Sequence, residues 1–304
     1  MRFMMKTKRA FTLVEVLVVI AIIGILATLV TVAVAGAMRA GKRAAISAVM
    51  HQISMSLDHY KAEFGEYPPD MFDDEALVRH IKKRFPRLDW ANLPPGVSDA
   101  DRIRTAISNA YGNGVDFTHS NSRIGSLVLW LGGFPNSDGK FSGFFADPEH
   151  PFTPTLDGAF DKKNFADLEL GNNVRFENID GCIVPVFGNE VQSVFVPFVY
   201  FRGKEGGGSD AYTFMDSSDG FMKIKQVGYT DIGVCVPYAD EKINADTTKW
   251  KNPATYQLIH PGLDGKFGDG GPERIIKSRA NIGVQDLDNI TNISDCKELK
   301  SILP

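Results

Sequence analysis

The 23 residues Val16–Met38 carry no charge, and a glutamate, Glu15, stands at their head. A helix of this length spans roughly 34 Å at ~1.5 Å per residue, enough for a ~30 Å hydrocarbon core. Arg2, Lys6, Lys8 and Arg9 precede it. The positive-inside rule therefore predicts a cytoplasmic N-terminus with the rest of the chain outside. Glu15 is the anomaly. A carboxylate near the bilayer centre is unfavourable by ~2.5–3.5 kcal/mol, and by less toward the interface. An acid kept there points to a partner. The nearest one is a new α-amino group, created by a cut before Phe11 and mostly protonated at neutral pH. It would lie about one helical turn from Glu15, on the same chain or on a neighbour.

The order Lys8-Arg9-Ala10, then Phe11-Thr12-Leu13-Val14-Glu15, then a long apolar helix resembles the signal of type IV prepilins and type II secretion pseudopilins. The resemblance implies cleavage between Ala10 and Phe11 by a prepilin peptidase and N-methylation of Phe11. It implies that Glu15 neutralises the terminal amine of an adjacent subunit during assembly. The family usually has glycine where this chain has Ala10, and many filament subunits have a mid-helix proline where this chain has Val32. An ordinary signal anchor and a secretory signal are the alternatives, and Ala33-Val34-Ala35 resembles a signal-peptidase site. A secretory apolar region, however, runs only ~7–15 residues.

Beyond Arg39-Ala40-Gly41-Lys42-Arg43, the residues Ile46, Val49, Ile53, Leu57, Tyr60 and Phe64 recur at spacings of three and four, the stripe of an amphipathic helix. Gly65 and Pro68-Pro69 end it. The stretch Tyr60–Pro68 is similar to the helix end of major pseudopilins. The expected organisation is a leader at 1–10, a membrane and assembly helix at 11–64, and an extracytoplasmic head at 65–304. The head reads as α+β. Helical spacing covers Asp74–Ile81 and Ser98–Tyr111, and Ser126–Leu131 is an apolar run that fits a helix turn or a strand. Cys182–Phe187, Val191–Phe201, Met222–Tyr229, Ile232–Tyr238 and Thr255–His260 read as strands. The spacing suggests one antiparallel sheet whose apolar face covers the outer half of the long helix. Trp130–Phe134, Val196–Arg202 and Tyr256–Gly268 resemble enlarged pilin-like proteins more loosely.

The net charge of −4 would become −8 without the four leader cations, so no nucleic-acid partner is expected. No HExxH, GxSxG, P-loop or dinucleotide fingerprint is present, and the reading is a structural subunit rather than an enzyme. The six histidines are scattered, with His51 and His59 expected to face solvent. Asp264 and Asp269 in the loop Asp264–Gly271 are candidate Ca²⁺ ligands, because glycines let carbonyls turn inward and major pseudopilins have a calcium loop near the C-terminus. The loop lacks a third acid and matches no EF-hand spacing. Asp138–Phe141 and Asp216–Gly220 are similar turns. Cys182, Cys235 and Cys296 allow one disulfide plus a thiol, or three reduced thiols. The partners implied by the resemblance are other pilin-like subunits, the prepilin peptidase, an inner-membrane assembly platform and the lipid bilayer. A membrane-anchored extracytoplasmic binding or enzymatic domain is the alternative.

Overall fold

The computed structural model describes residues 12–71, 73–112, 114–118, 123–154, 159–161, 173–179, 182–204, 212, 222–223, 232–244, 247–268, 274–280 and 282–304. The chain divides into two compact units, one ending at Ala45 and the other beginning at Ile46. Helix α1, Leu13–Phe64, runs through both as one element. Gly65 ends it at φ 76°, a left-handed position that favours glycine, and its N–H reaches Lys61 O at 2.7 Å.

In the second unit, three shorter helices follow. α2 (Asp74–Arg84) is capped by Asp73, whose carboxylate accepts from Ala76 N–H. It buries Leu77, His80, Ile81 and Arg84, one face at helical spacing. α3 (Asp99–Tyr111) is capped by Ser98 and buries Ile103 and Ile107. α4 (Arg123–Gly132) is buried from Ile124 onward, which resolves the ambiguous apolar run as a helix. A run buried on every side shows no period, so its sequence alone leaves helix and strand open. Gly133 follows at φ 74°, so close to Gly143 that an added Cβ would stand 2.2 Å from its backbone.

The strands are β1 (Val174–Ile179), β2 (Cys182–Val191), β3 (Val194–Pro197), β4 (Val199–Arg202), β5 (Met222–Lys223) and β6 (Val234–Cys235). They continue as β7 (Tyr238–Asn244), β8 (Thr247–Trp250), β9 (Tyr256–His260), β10 (Arg274–Ile275), β11 (Ile290–Thr291) and β12 (Lys297–Glu298). Instead of the single expected sheet there are several small ones, ordered β1-β2-β3, β10-β7-β8, β12-β11-β9-β4 and β5-β6. All pairings are antiparallel except β10 with β7. The run Val191–Phe201 is broken at Gln192 and Ser193, whose φ of 49° and 66° make a two-residue hairpin turn between β2 and β3. The run Ile232–Tyr238 is broken before Tyr238 by Pro237, which has no N–H to give to a ladder. Of Met222–Tyr229, only Met222 and Lys223 lie within the described residues.

The sheet β12-β11-β9-β4 meets the outer half of α1. Tyr200, Leu258, Tyr256 and Ile290 share a core with Ile46, Met50, Ile53, Leu57 and Tyr60. Val199, Phe201 and Ile259 belong to a second core with Val184, Cys235, Tyr238 and Phe267. The register explains the division. Tyr200 pairs with Leu258 while Val199 pairs with Ile259, so alternate residues point to opposite faces. Both faces are therefore buried, where one had been expected. Ser47 Oγ donates to Cys296 O at 2.6 Å, and Tyr200 OH donates to Pro68 O at 2.7 Å, fixing the helix and its exit on this sheet.

Candidate functional site

Ala10 and Phe11 lie outside the described residues; the description begins at Thr12. Thr12 and Glu15 close the first turn of α1 reciprocally. Glu15 N–H donates to Thr12 Oγ1 at 3.2 Å, and Thr12 N–H donates to Glu15 Oε2 at 2.8 Å. The Thr12 hydroxyl also donates to Oε2 at 2.8 Å. This is a capping box, in which a threonine and a glutamate three residues later satisfy each other's orphaned backbone donors. Both hydrogen bonds to the carboxylate fall on Oε2. Among the described residues, Oε1 has no hydrogen-bond partner. The sequence reading singled out Glu15 but passed over Thr12, although a Thr-x-x-Glu spacing before an apolar run is a visible signal for this cap.

From Leu13 the helix is apolar and exposed. Its most apolar stretch has a mean hydropathy of 3.0 and no buried share, and it is long enough to cross a membrane. Leu17, Ile20, Ile23, Leu29 and Val32 each expose half or more of their surface. Apolar surface on this scale gains free energy when removed from water, at roughly 25 cal/mol per Å². Such a face marks a membrane or protein interaction site.

A second cluster surrounds the loop predicted to hold a metal. Asp288 Oδ2 accepts from Leu263 N–H at 2.8 Å and from Asp264 N–H at 3.1 Å, and Asp264 Oδ1 accepts from Lys266 N–H at 2.8 Å. Burial pushes the Asp264 carboxyl up to about 6, with Asp288 and Asp286 adding to the rise, and burial also raises Asp288. Asp286 faces Arg274 at 3.1 Å, both fully buried. The sequence reading missed Asp286 and Asp288 because they come from a 3₁₀ turn far along the chain from Asp264. Asp269 lies outside the described residues. Among the described residues, no group of three or more His, Cys, Asp or Glu side chains could hold a metal ion. The Asp216–Gly220 turn is likewise outside them.

Four polar side chains join α1 to α2. Tyr60 OH lies 2.6 Å from His80 Nε2, His80 Nδ1 lies 2.9 Å from Glu66 Oε1, and Arg84 Nη1 donates to Tyr60 OH at 2.7 Å. The consistent arrangement has Nδ1–H donating to the carboxylate and the Tyr60 hydroxyl donating to Nε2, so the imidazole is neutral. Burial holds His80 below the ordinary histidine range and pushes the Tyr60 hydroxyl up to about 12. The neighbouring cavity, lined in part by Glu66, Asp70, Arg79 and Arg202, measures about 30 Å³, room for a water. Beside a space of that size, the cluster serves to lock two helices together. His51 and His59 are exposed, as expected. None of the three cysteines is in a disulfide: Cys235 and Cys296 are buried, Cys182 is partly so, and burial raises Cys296 to about 11.

No curated protein and no solved structure matches the chain. Residues 5–31 match the family model described as the prokaryotic N-terminal methylation motif. That span takes in the basic residues Lys6, Lys8 and Arg9, the capping box and most of the exposed apolar run. The chain thus carries, in the head of a helix long enough to cross a membrane and the residues before it, the prepilin-type signal of type IV pilins and pseudopilins.

Proposed function

We propose that this chain is a pilin-like structural subunit, a pseudopilin of a type II secretion or type IV pilus-like machine, and not an enzyme. A prepilin peptidase cuts between Ala10 and Phe11 and the new Phe11 amine is methylated. The helix anchors the subunit in the bacterial inner membrane, with the region from 65 to 304 outside the cytoplasm. Subunits then bundle through α1 with other pilin-like subunits on an inner-membrane assembly platform. The observation that carries this reading is the Thr12–Glu15 cap. It holds one carboxylate oxygen inside the turn and leaves Oε1 for the amine of a neighbouring copy. Thr12 is then a positioning residue, fixing where the negative charge sits.

Mass spectrometry of the mature N-terminus tests the processing step. A methylated Phe11 is expected, whereas an intact Met1 or a start at Gly36 would reject the scheme. Glu15→Gln should still insert and fold but lose assembly into filaments. Filaments formed as in the native chain would sink the charge-neutralisation step.

We further propose Ca²⁺ at Asp264 and Asp269, supported by the Asp264 carboxyl, raised by burial and further by Asp288, whose charge a cation would balance. Absence of thermal stabilisation by millimolar calcium would remove that assignment.

A further inference from the structure

The far end of the apolar run carries a compact group of positive charges. Arg39, Lys42 and Arg43 follow Met38 directly on α1. Positions three and four apart share one helix face. Arg39 and Lys42 are exposed and Arg43 is half-buried. Among the described residues, neither Arg39 nor Lys42 has an ion-pair partner.

Length fixes their depth. The uncharged run covers roughly 34 Å, slightly more than a ~30 Å hydrocarbon core, so Arg39 falls at the core's edge. From Arg39 to Arg43 the axis advances about 6 Å, the thickness of one headgroup layer when the whole bilayer is ~40–45 Å. All three cations fall at the level of the lipid phosphates. Arginine and lysine stems lie readily along apolar surface while their heads reach a polar layer. An arginine fork also takes a phosphate by two parallel hydrogen bonds.

We propose that Arg39 and Lys42 form a docking face for anionic phospholipid headgroups at the C-terminal end of the span, so that the anchored chain gathers phosphatidylglycerol-type lipids around itself. The inference rests on the reading of α1 as a membrane helix. The rival occupant is an acidic side chain on α1 of a second copy. The acids of α1 stand at the wrong depth: Glu15 is at the opposite end of the run, and Asp58 and Glu63 lie about 22 Å and about 30 Å beyond Arg43 along the axis. Lipid phosphates are present at the right depth around every anchored copy.

The test uses the full chain in vesicles of phosphatidylcholine and phosphatidylglycerol, with spin-labelled forms of each lipid reporting their relative association with the protein. The leader also carries cations, so the comparison that counts is native chain against R39Q/K42Q. Each basic residue near an anionic surface contributes about fivefold, the ratio given by ~1 kcal/mol. The preference for phosphatidylglycerol should therefore fall at least fivefold in R39Q/K42Q and in molar salt, and persist in R39K/K42R. Circular dichroism checks that the helix is intact in each. An inserted native chain whose preference matches that of R39Q/K42Q overturns the proposal. So does cross-linking of Arg39 or Lys42 positions to acids of a second copy without any lipid preference. Extraction of the native chain by alkali would instead sink the membrane-helix reading itself.

Discussion

His80 sits where α1, its exit turn and α2 converge, and it is held neutral by burial against Tyr60 and Glu66. His260 is buried likewise, with Nε2 at 2.7 Å from Asn189 Oδ1 and Nδ1 accepting from Gly262 N–H, and burial pushes it down to about 3. Unfolding lets both rings bind a proton near pH 6.5, which the folded protein refuses. The unfolded state then holds more protons, so these two residues contribute full stability above about pH 6.5 and lose it as the pH falls. Thermal unfolding followed from neutral pH to about pH 5 should show a falling midpoint, less so where His260→Gln keeps a neutral side chain. Asp264 has the opposite sign. Its carboxyl is raised to about 6 in the folded protein, so ionisation above that pH works against folding and protonation below it relieves the strain. Asp264→Asn should raise the calcium-free melting temperature at neutral pH, give no gain near pH 4, and remove any calcium-dependent stabilisation. The Glu15 spacing was legible because its partner is local in sequence. The acids Asp286 and Asp288 were not legible, because only folding of the C-terminal segment brings them to Asp264.

At the scale of elements, the outer half of α1 was readable from its period. Ile46, Ile53, Leu57 and Tyr60 are buried as the stripe predicted, while Met50 joins them unannounced on the same face. Leu57 is fully buried between the helix and the β4–β9 face. Leu57→Ala should cost about 2–5 kcal/mol in denaturant unfolding of the detergent-solubilised chain, from lost transfer energy plus the cavity left behind. Met55→Ala, on the exposed side of the same turn, should stay within about 0.5 kcal/mol. The strands were harder to read. β7 carries Asp240, Glu241 and Lys242, so a search for apolar runs passes over it, and its place is set by partners β8 and β10. β1 shows its exposed Phe176 and half-buried Glu177 because it lies at the edge of its sheet. Edge strands need less apolar patterning than central ones, and so announce themselves less.

At the scale of the molecule, the division after Ala45 separates a unit with no core of its own from one with two. The first unit is apolar outward and the second apolar inward, so they call for different solvents. The organisation as helix plus α+β head followed from composition and periodicity. The presence of two cores on either side of one small sheet did not, because alternation along β4 and β9 is hidden when both faces are apolar. α1 is one helix across the division, and Gly41 lies just before it with open space where a side chain would be. A load pulling the two ends of the chain apart passes through that single backbone. Glycine weakens a helix in water by about 1 kcal/mol relative to alanine; of the glycines of α1, Gly24 and Gly36 lie within the apolar run and Gly41 lies beyond it, so in an anchored chain Gly41 is the link that should yield first under tension. Stretching single molecules should give Gly41→Ala a higher yield force than the native chain. A chain under such a load would lengthen at that point before either end lets go.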